Sequence, residues 1–355
     1  MGTAPEFSAV SGMEWTPTPT PVTPTPFARA PSAARLVAQP GPVFVPGAVI
    51  GPYLVIRSIG SGKVAEIYEV EHVDLGRRYS LKILSEESRP DGLERRRFDR
   101  EAKVLAAIDH PNVLRIQHLD RLLDGRRYLV TELLRGRTLA ERIRNGRLPV
   151  ADACRIAEQI AYGLSAAHEK GVLHRDLKPS NIFLTDTEAG ALVKLMDFGL
   201  ARIEVPAADE LTIGSEPVGT PGYMAPEQIA RPSAVDVRAD LYAVGAILFE
   251  MLTGAPLYSA EDEAGLLAAN LAARVRDPRE LRPDIPPAIA QLTLACLARD
   301  PILRPTSARV LWKVLRGLRK RRVSSPRTVQ ISLRLWILLL VLPFAASIAT
   351  ALLLR

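Results

Sequence analysis

Residues 174–181 read His-Arg-Asp-Leu-Lys-Pro-Ser-Asn, and sixteen positions beyond Asn181 comes Asp197-Phe198-Gly199. No other part of the chain constrains its folding so tightly. The two strings place a lone carboxylate (Asp176), a lysine (Lys178) and two hard oxygen donors (Asn181 and Asp197) on neighbouring loops. Any fold of this chain has to make those loops meet, because the groups are chemically useful only together.

Around that centre the apolar periodicity changes once. Tyr53–Ile59 is β-branched, Glu66–His72 alternates outward acids with inward apolar residues, and the Asp74-Leu-Gly-Arg turn leads to a third strand at Tyr79–Leu84. A helix is predicted over about 92–108, with strand-like runs near Val113–Leu123 and Arg127–Glu132 after it. Beyond Gly136 the pattern turns helical. Val150–Glu169 carries Ile156, Ile160 and Leu164 at helical spacing, and Leu241–Leu252 is apolar almost all round, as in a helix buried through the middle of a lobe. Pattern alone predicts an α+β architecture: a small antiparallel β lobe with one helix, a hinge near 133–136, and a larger α-helical lobe.

Both ends of the sequence differ from this body. Residues 1–47 have no hydrophobic period and contain alternating Thr-Pro from Thr16 to Pro26, which predicts a solvated, extended, disordered arm. That arm could be a spacer, a set of phosphoacceptors or a ligand for a proline-binding domain. At the other end, Leu335–Leu354 is twenty residues without a charge. A helix of that length spans about 30 Å, the thickness of a bilayer's hydrocarbon core. Arg316, the Arg319–Arg322 cluster, Arg327 and Arg334 precede it and only Arg355 follows. The expectation is a basic juxtamembrane segment at 316–334 and a single-pass transmembrane helix at 335–354 in the cytoplasmic (inner) membrane, with the body of the chain facing the cytoplasm. A buried core helix is the disfavoured alternative. The formal charge of +7 belongs to this tail: nine of the 46 Lys/Arg and no acid fall within Lys313–Arg355, leaving 37 bases against 39 acids elsewhere. A slightly acidic body argues against nucleic acid as a partner. The two cysteines, Cys154 and Cys296, lie in apolar helical contexts and read as buried thiols.

Several smaller motifs frame the central strings. Gly60-Ser-Gly62-Lys63 lies between the first two strands, where glycines let backbone N–H groups approach phosphate. It is not a Walker A loop, since Arg57 stands where that motif needs glycine and Val64 where it needs Ser or Thr. Lys82 is flanked by Leu81, Ile83 and Leu84, so its ammonium needs an anionic partner. Phe98, Glu101, Leu105 and Ile108 share one face of the predicted helix; Glu101 is the favoured partner and Glu94 the rival.

Taken in order, these motifs resemble the eukaryotic-like (bacterial) serine/threonine protein kinase family, over about Tyr53–Leu315. The resemblance implies a two-lobed protein kinase fold with an N-lobe at 53–133 and a C-lobe at 137–315, to which the C-terminal transmembrane helix would be appended. It implies ATP and Mg2+ as cofactors, with Mn2+ an alternative ion, and proteins as substrates. Asp176 would accept the substrate hydroxyl proton, Lys178 would steady the γ-phosphate, and Asn181 and Asp197 would bind the metal. Lys82 would pair with Glu101. Nucleotide contacts would come from Ile59, Gly60, Ser61, Gly62, Lys63, Ile67, Ser80, Lys82, Phe183 and Asn181, with Thr131 as gatekeeper and backbone groups of Glu132 and Leu134 on the adenine edge. The glycine loop departs from the family pattern, with Ala65 in place of its third glycine and Ile67 in place of its valine. His174 would pack on Phe198. Arg175 would receive a phosphate from the activation segment, with Thr212 or Ser215 as the modified residue, while Thr220 would bond Asp176 and Lys178. Glu227 with Arg304, and Asp240, match structural braces of the lower lobe. Two alternatives stay open: a membrane-tethered pseudokinase scaffold of the same fold, and a chain whose Thr-Pro arm is its functional part. Dimerisation is likewise open.

Overall fold

The computed structural model describes residues 44–61, 65–84, 105–188, 190–198, 220–230, 235–272 and 275–324. Outside them lie Gly62, Lys63, the helix expected before Leu105 with Glu94 and Glu101, Thr212 and Ser215, the Thr-Pro repeats, and the membrane span expected at 335–354. Among the described residues no helix is long and apolar enough to cross a membrane.

The first lobe is a six-stranded antiparallel sheet of β1 (Val49–Ile50), β2 (Tyr53–Ser61), β3 (Ala65–His72), β4 (Arg78–Leu84), β5 (Ile116–Arg121) and β6 (Arg127–Glu132), in the order β1-β2-β3-β4-β6-β5. Alternation sets its core: Tyr53 and Val55, Tyr68 and Val70, Leu81 and Ile83, and Tyr128 and Val130 all turn to one buried face. Structure begins earlier than the Tyr53 read from periodicity. β1 pairs with β2, and the Phe44 backbone N–H donates to Tyr68 Oη at 2.9 Å. A two-residue strand and one aromatic anchor carry no period, so the sequence did not expose them.

The second lobe is built on the helices Val150–Glu169 and Val237–Thr253, which share one apolar core with the small sheet β7 (Gly136–Thr138), β8 (Ile182–Thr187) and β9 (Gly190–Leu195). The Val237–Thr253 helix starts four residues before Leu241. Asp236 caps its N-terminus and left-handed Gly254 ends it. Asp240 therefore lies in its first turn. The β8–β9 hairpin explains the spacing of the two strings. Ile182 pairs with Leu195, and the Met196 N–H donates to the Asn181 carbonyl at 2.9 Å, so the hairpin returns Asp197 beside Asn181. Gly136 joins the lobes at φ 142°, where a Cβ would lie 2.0 Å from the Leu184 carbonyl oxygen; only glycine fits.

The last described helix, Ala308–Ser324, runs past Leu315 into the stretch read as juxtamembrane. Leu311, Leu315 and Leu318 continue an apolar stripe beneath the basic residues, Trp312 stacks on Tyr162, and Arg319 reaches Glu158 at 2.6 Å. Charge concealed that stripe.

Candidate active site

The loop between the Val150–Glu169 helix and β8 carries Asp176, Lys178 and Asn181. Lys178 Nζ lies 3.0 Å from Asp176 Oδ2 and donates to Thr220 Oγ1 at 2.9 Å; Thr220 in turn donates to Asp176 Oδ1 at 3.3 Å. Asn181 donates Nδ2 to the Asp176 carbonyl at 2.8 Å, which fixes the flip of the amide and leaves its oxygen as the acceptor for a ligand. Acid, ammonium and hydroxyl thus close a triangle, with the amide against its backbone.

Asp197 approaches from the hairpin's other end, and its Oδ1 accepts from Lys82 Nζ at 2.5 Å. Lys82 sits on β4 opposite Ile67 of β3 and Leu129 of β6, and Ser80 lies opposite Thr131. The sequence favoured Glu101 as the partner of Lys82; Glu101 lies outside the described residues, and the anion found on the ammonium is Asp197. Asp197 and Arg175 are the two non-glycine residues with positive φ among those described, at 52° and 61°. Strain of this kind gathers where a backbone is held for a purpose.

The donor set suits a hard, oxygen-seeking ion. The hairpin sets one carboxylate residue (Asp197) beside one amide residue (Asn181), and no cluster of three or more His, Cys, Asp or Glu with metal-binding geometry occurs among the described residues. Magnesium is commonly held by one or two protein oxygens, its other ligands being phosphate and water. The residues present fit that ion together with a nucleotide.

At the lobe junction Thr131 is buried, its hydroxyl turned to the Glu132 carbonyl at 3.4 Å. The Glu132 carboxylate is locked by Lys194 Nζ at 2.6 Å and the Arg115 N–H at 3.0 Å. Gly60 lies under Ile67, and Phe183 pairs with Lys194 in β8–β9 and with Thr138 in β7. Ile59 is 39% exposed. Leu134 lies in the connection between β6 and β7.

Bracing groups surround the loops. Asp240, itself buried, accepts the backbone N–H of His174 and of Arg175 at 2.9 Å each and contacts His168 Nε2 at 2.7 Å. Burial pushes its carboxyl up, yet the hydrogen bond and charge of His168, with the backbone N–H of His174, hold it below the usual range. Burial keeps the His174 imidazole below the ordinary histidine value and hence neutral at pH 7; the ring donates Nε2–H to the Met196 carbonyl at 3.0 Å and lies 4.6 Å from the Phe198 ring. Arg304 has no solvent exposure and grips Glu227 through two bonds of 2.5 and 2.8 Å. Cys154 and Cys296 are both buried and in no disulfide, and burial pushes the Cys296 thiol up to about 12.

Comparison with known proteins agrees with this geometry. The sequence matches the family described as Protein kinase domain over residues 53–314. The chain belongs to the protein kinase domain family. Among its relatives, serine/threonine-protein kinase pkn2 of Myxococcus xanthus is 34% identical over 75% of this chain and 32% of the relative. Serine/threonine-protein kinase PknD of Mycobacterium tuberculosis is 37% identical over 74% of this chain and 39% of the relative. The chain thus spans about a third to a half of the length of these curated kinases. The crystal structure of the M. tuberculosis PknI kinase domain superposes with a TM-score of 0.62 at 27% identity, covering 78% of this chain and 98% of that one.

Sequence reasoning missed four side chains of this kinase-fold site. Lys194 locks Glu132, His168 supports Asp240, Gln228 donates to the Arg175 carbonyl at 2.9 Å, and Asn270 reaches the segment after Thr220. Lys194 had a weak signal, a lysine inside an apolar strand three residues before Asp197. The other three sit on helices whose sequences mark them in no way.

Proposed function

We propose that the chain is a serine/threonine protein kinase, transferring the terminal phosphoryl group of ATP to a hydroxyl of a protein substrate. The bonded triangle of Asp176, Lys178 and Thr220, with Asn181 and Asp197 set beside it by the β8–β9 hairpin, carries this reading. Asp176 takes the proton from the acceptor hydroxyl while a new O–P bond forms and the bond to the β-phosphate oxygen breaks, leaving ADP. Lys178, 3.0 Å from that carboxylate, offsets the charge of the phosphoryl group near it. The Asn181 amide oxygen and the Asp197 carboxylate would hold magnesium, which supplies charge neutralisation at the phosphates when bound. Lys82 gives the site a second cation on the nucleotide side. Lysine two places after the catalytic aspartate supports Ser/Thr rather than Tyr as acceptor, as do the printed names of the relatives. The test is transfer of labelled phosphate from ATP to a generic acceptor protein by wild type and Asp176→Asn, followed by phosphoamino-acid analysis. Equal incorporation by both would overturn the assignment.

Two finer readings go with it. The uncharged run 335–354 behind a basic flank supports a single-pass anchor in the cytoplasmic membrane, with the kinase domain on the cytoplasmic side. Recovery of the full chain from the soluble fraction without detergent would refute that. Arg175 beside Asp176 supports autophosphorylation at Thr212 or Ser215, which a phosphosite map of active enzyme would test.

A further inference from the structure

Asn270, on the helix Glu263–Ala272, has no solvent exposure, yet the reaction proposed above makes no use of it. Its Nδ2 donates to two backbone carbonyls, that of Pro221 at 2.8 Å and that of Met224 at 2.7 Å. Its Oδ1 is buried without a hydrogen-bond partner among the described residues. A buried amide is a costly choice for packing a helix, because each of its polar atoms gives up water and needs a partner in exchange. Leucine has the same branched shape and carries no polar atom that needs a partner. What the amide supplies is its pair of donations.

Both recipients belong to the segment that begins at Thr220, whose hydroxyl bridges Lys178 and Asp176. Other side chains pin the same segment: Tyr223 Oη donates to Glu250 Oε2 at 2.6 Å, and the Ala225 N–H donates to Gln228 Oε1 at 3.0 Å. A turn closes it, from the Tyr223 N–H to the Thr220 carbonyl at 3.0 Å. Asn270 holds the Pro221 and Met224 carbonyls, whereas Glu250 and Gln228 hold the Tyr223 hydroxyl and the Ala225 N–H. A shift of the Pro221 and Met224 carbonyls would move Thr220, and with it the rim around Asp176 on which a polypeptide must lie. The nucleotide side, built from Lys82, Asn181 and Asp197, is bonded to other elements.

We infer that Asn270 is a positioning residue for the protein acceptor: its amide fixes residues 220–224 as the floor that presents a polypeptide hydroxyl to Asp176. This rests on the kinase reading and assigns Asn270 no role toward ATP. A purely structural residue would instead affect both substrates alike.

The test uses the full chain, with myelin basic protein as acceptor and, separately, ATP alone with water as acceptor. Asn270→Leu removes both donations while keeping the branched shape of the side chain, and Asn270→Asp sets a carboxyl oxygen against the two carbonyls. Either folded variant should lose about tenfold or more in kcat/KM for the acceptor protein, while KM for ATP and the acceptor-free ATP hydrolysis stay within about twofold of wild type. A loss below about threefold in both variants overturns the inference, as does a parallel fall of acceptor phosphorylation and acceptor-free hydrolysis. Failure of both variants to show a cooperative thermal transition also overturns it, since Asn270 would then be scaffold. Wild type and Asp176→Asn run alongside. Transfer independent of Asp176 removes the kinase reading and this inference with it, whereas Asp176-dependent transfer unchanged by the Asn270 variants removes the positioning role alone.

Discussion

Replacing Glu227 by glutamine takes the anion away from a guanidinium with no contact to water. Breaking one partner out of a buried ion pair costs about 3–5 kcal/mol, and the surroundings of Arg304 decide where in that range each variant falls. Arg304 also donates to the carbonyls of Ala298 at 2.8 Å, Arg238 at 3.0 Å and Arg299 at 3.2 Å, and it lies 5.0 Å from the Tyr242 ring centroid. Those contacts survive in Glu227→Gln, so its cost should sit near the lower bound, about 3 kcal/mol. Arg304→Leu strips a donor from all three carbonyls as well and leaves the Glu227 carboxylate without its cation, so about 5 kcal/mol or more is expected. At about 2–4 °C per kcal/mol for a domain of this size, Glu227→Gln should lower Tm by about 6–12 °C and Arg304→Leu by clearly more. Thermal melts by circular dichroism of both variants and the double variant give the coupling directly. If the reasoning holds, the double variant is no less stable than Arg304→Leu. Strict additivity within about 0.5 kcal/mol would refute it, because the two groups would then not depend on each other.

Other consequences are accessible to simple measurements. Thr220→Ala removes the hydroxyl that joins Lys178 and Asp176; transfer to a protein acceptor should fall by about tenfold or more, and Thr220→Ser should recover most of it, as read by initial rates. His110 and His174 are both held below the ordinary histidine range by burial. Their folded forms are neutral while the unfolded chain binds protons near pH 6.5, so this part of the stability is complete above about 6.5 and is lost as pH falls below it. Urea midpoints between pH 7.5 and 5 should drop, with a shallower slope in His174→Gln; a flat profile in wild type would contradict this. Gly136→Ala should destabilise the lobe junction by several kcal/mol, about the worst case for a single methyl, since its Cβ would stand 2.0 Å from a backbone oxygen at φ 142°. A Tm within 2 °C or so of wild type would show that the junction can move aside.

The division into lobes was legible because it is written in periodicity. β-Branched and alternating runs gave β2, β3 and β4 to within two residues at either end, and Val150–Glu169 has the boundaries its apolar spacing predicts. The central groups were legible as well, since Asp176, Lys178, Asn181 and Asp197 stand in short strings with fixed order. Less was readable wherever the deciding contact joins distant segments without a pattern. Nothing in Glu263–Ala272 announces that Asn270 will meet Pro221, 49 positions earlier in the chain. Glu132 and Lys194 stand 62 positions apart, and only the folded junction makes them partners. The Ala308–Ser324 helix was hidden in another way: its apolar stripe lies among arginines, and the charge suggested a tail.

Arg175 and Asp197 show why the groups without a chemical role matter as much as those with one. A non-glycine residue in the left-handed region costs about 1–2 kcal/mol, so neither conformation would persist in a loop left to itself. Asp240 takes the N–H groups of His174 and Arg175, Gln228 takes the Arg175 carbonyl, and the His174 ring ties the Met196 carbonyl while lying against Phe198. Arg175 is therefore held directly from two helices that donate nothing to the reaction, and Asp197 through its two neighbours by the His174 ring. The Asp240 carboxylate is suited to this because its two oxygens accept two N–H groups at once. An amide in its place would turn a donor toward one of those N–H groups, release half the grip, and let Arg175 leave the conformation that sets Asp176, the next residue along, where it stands.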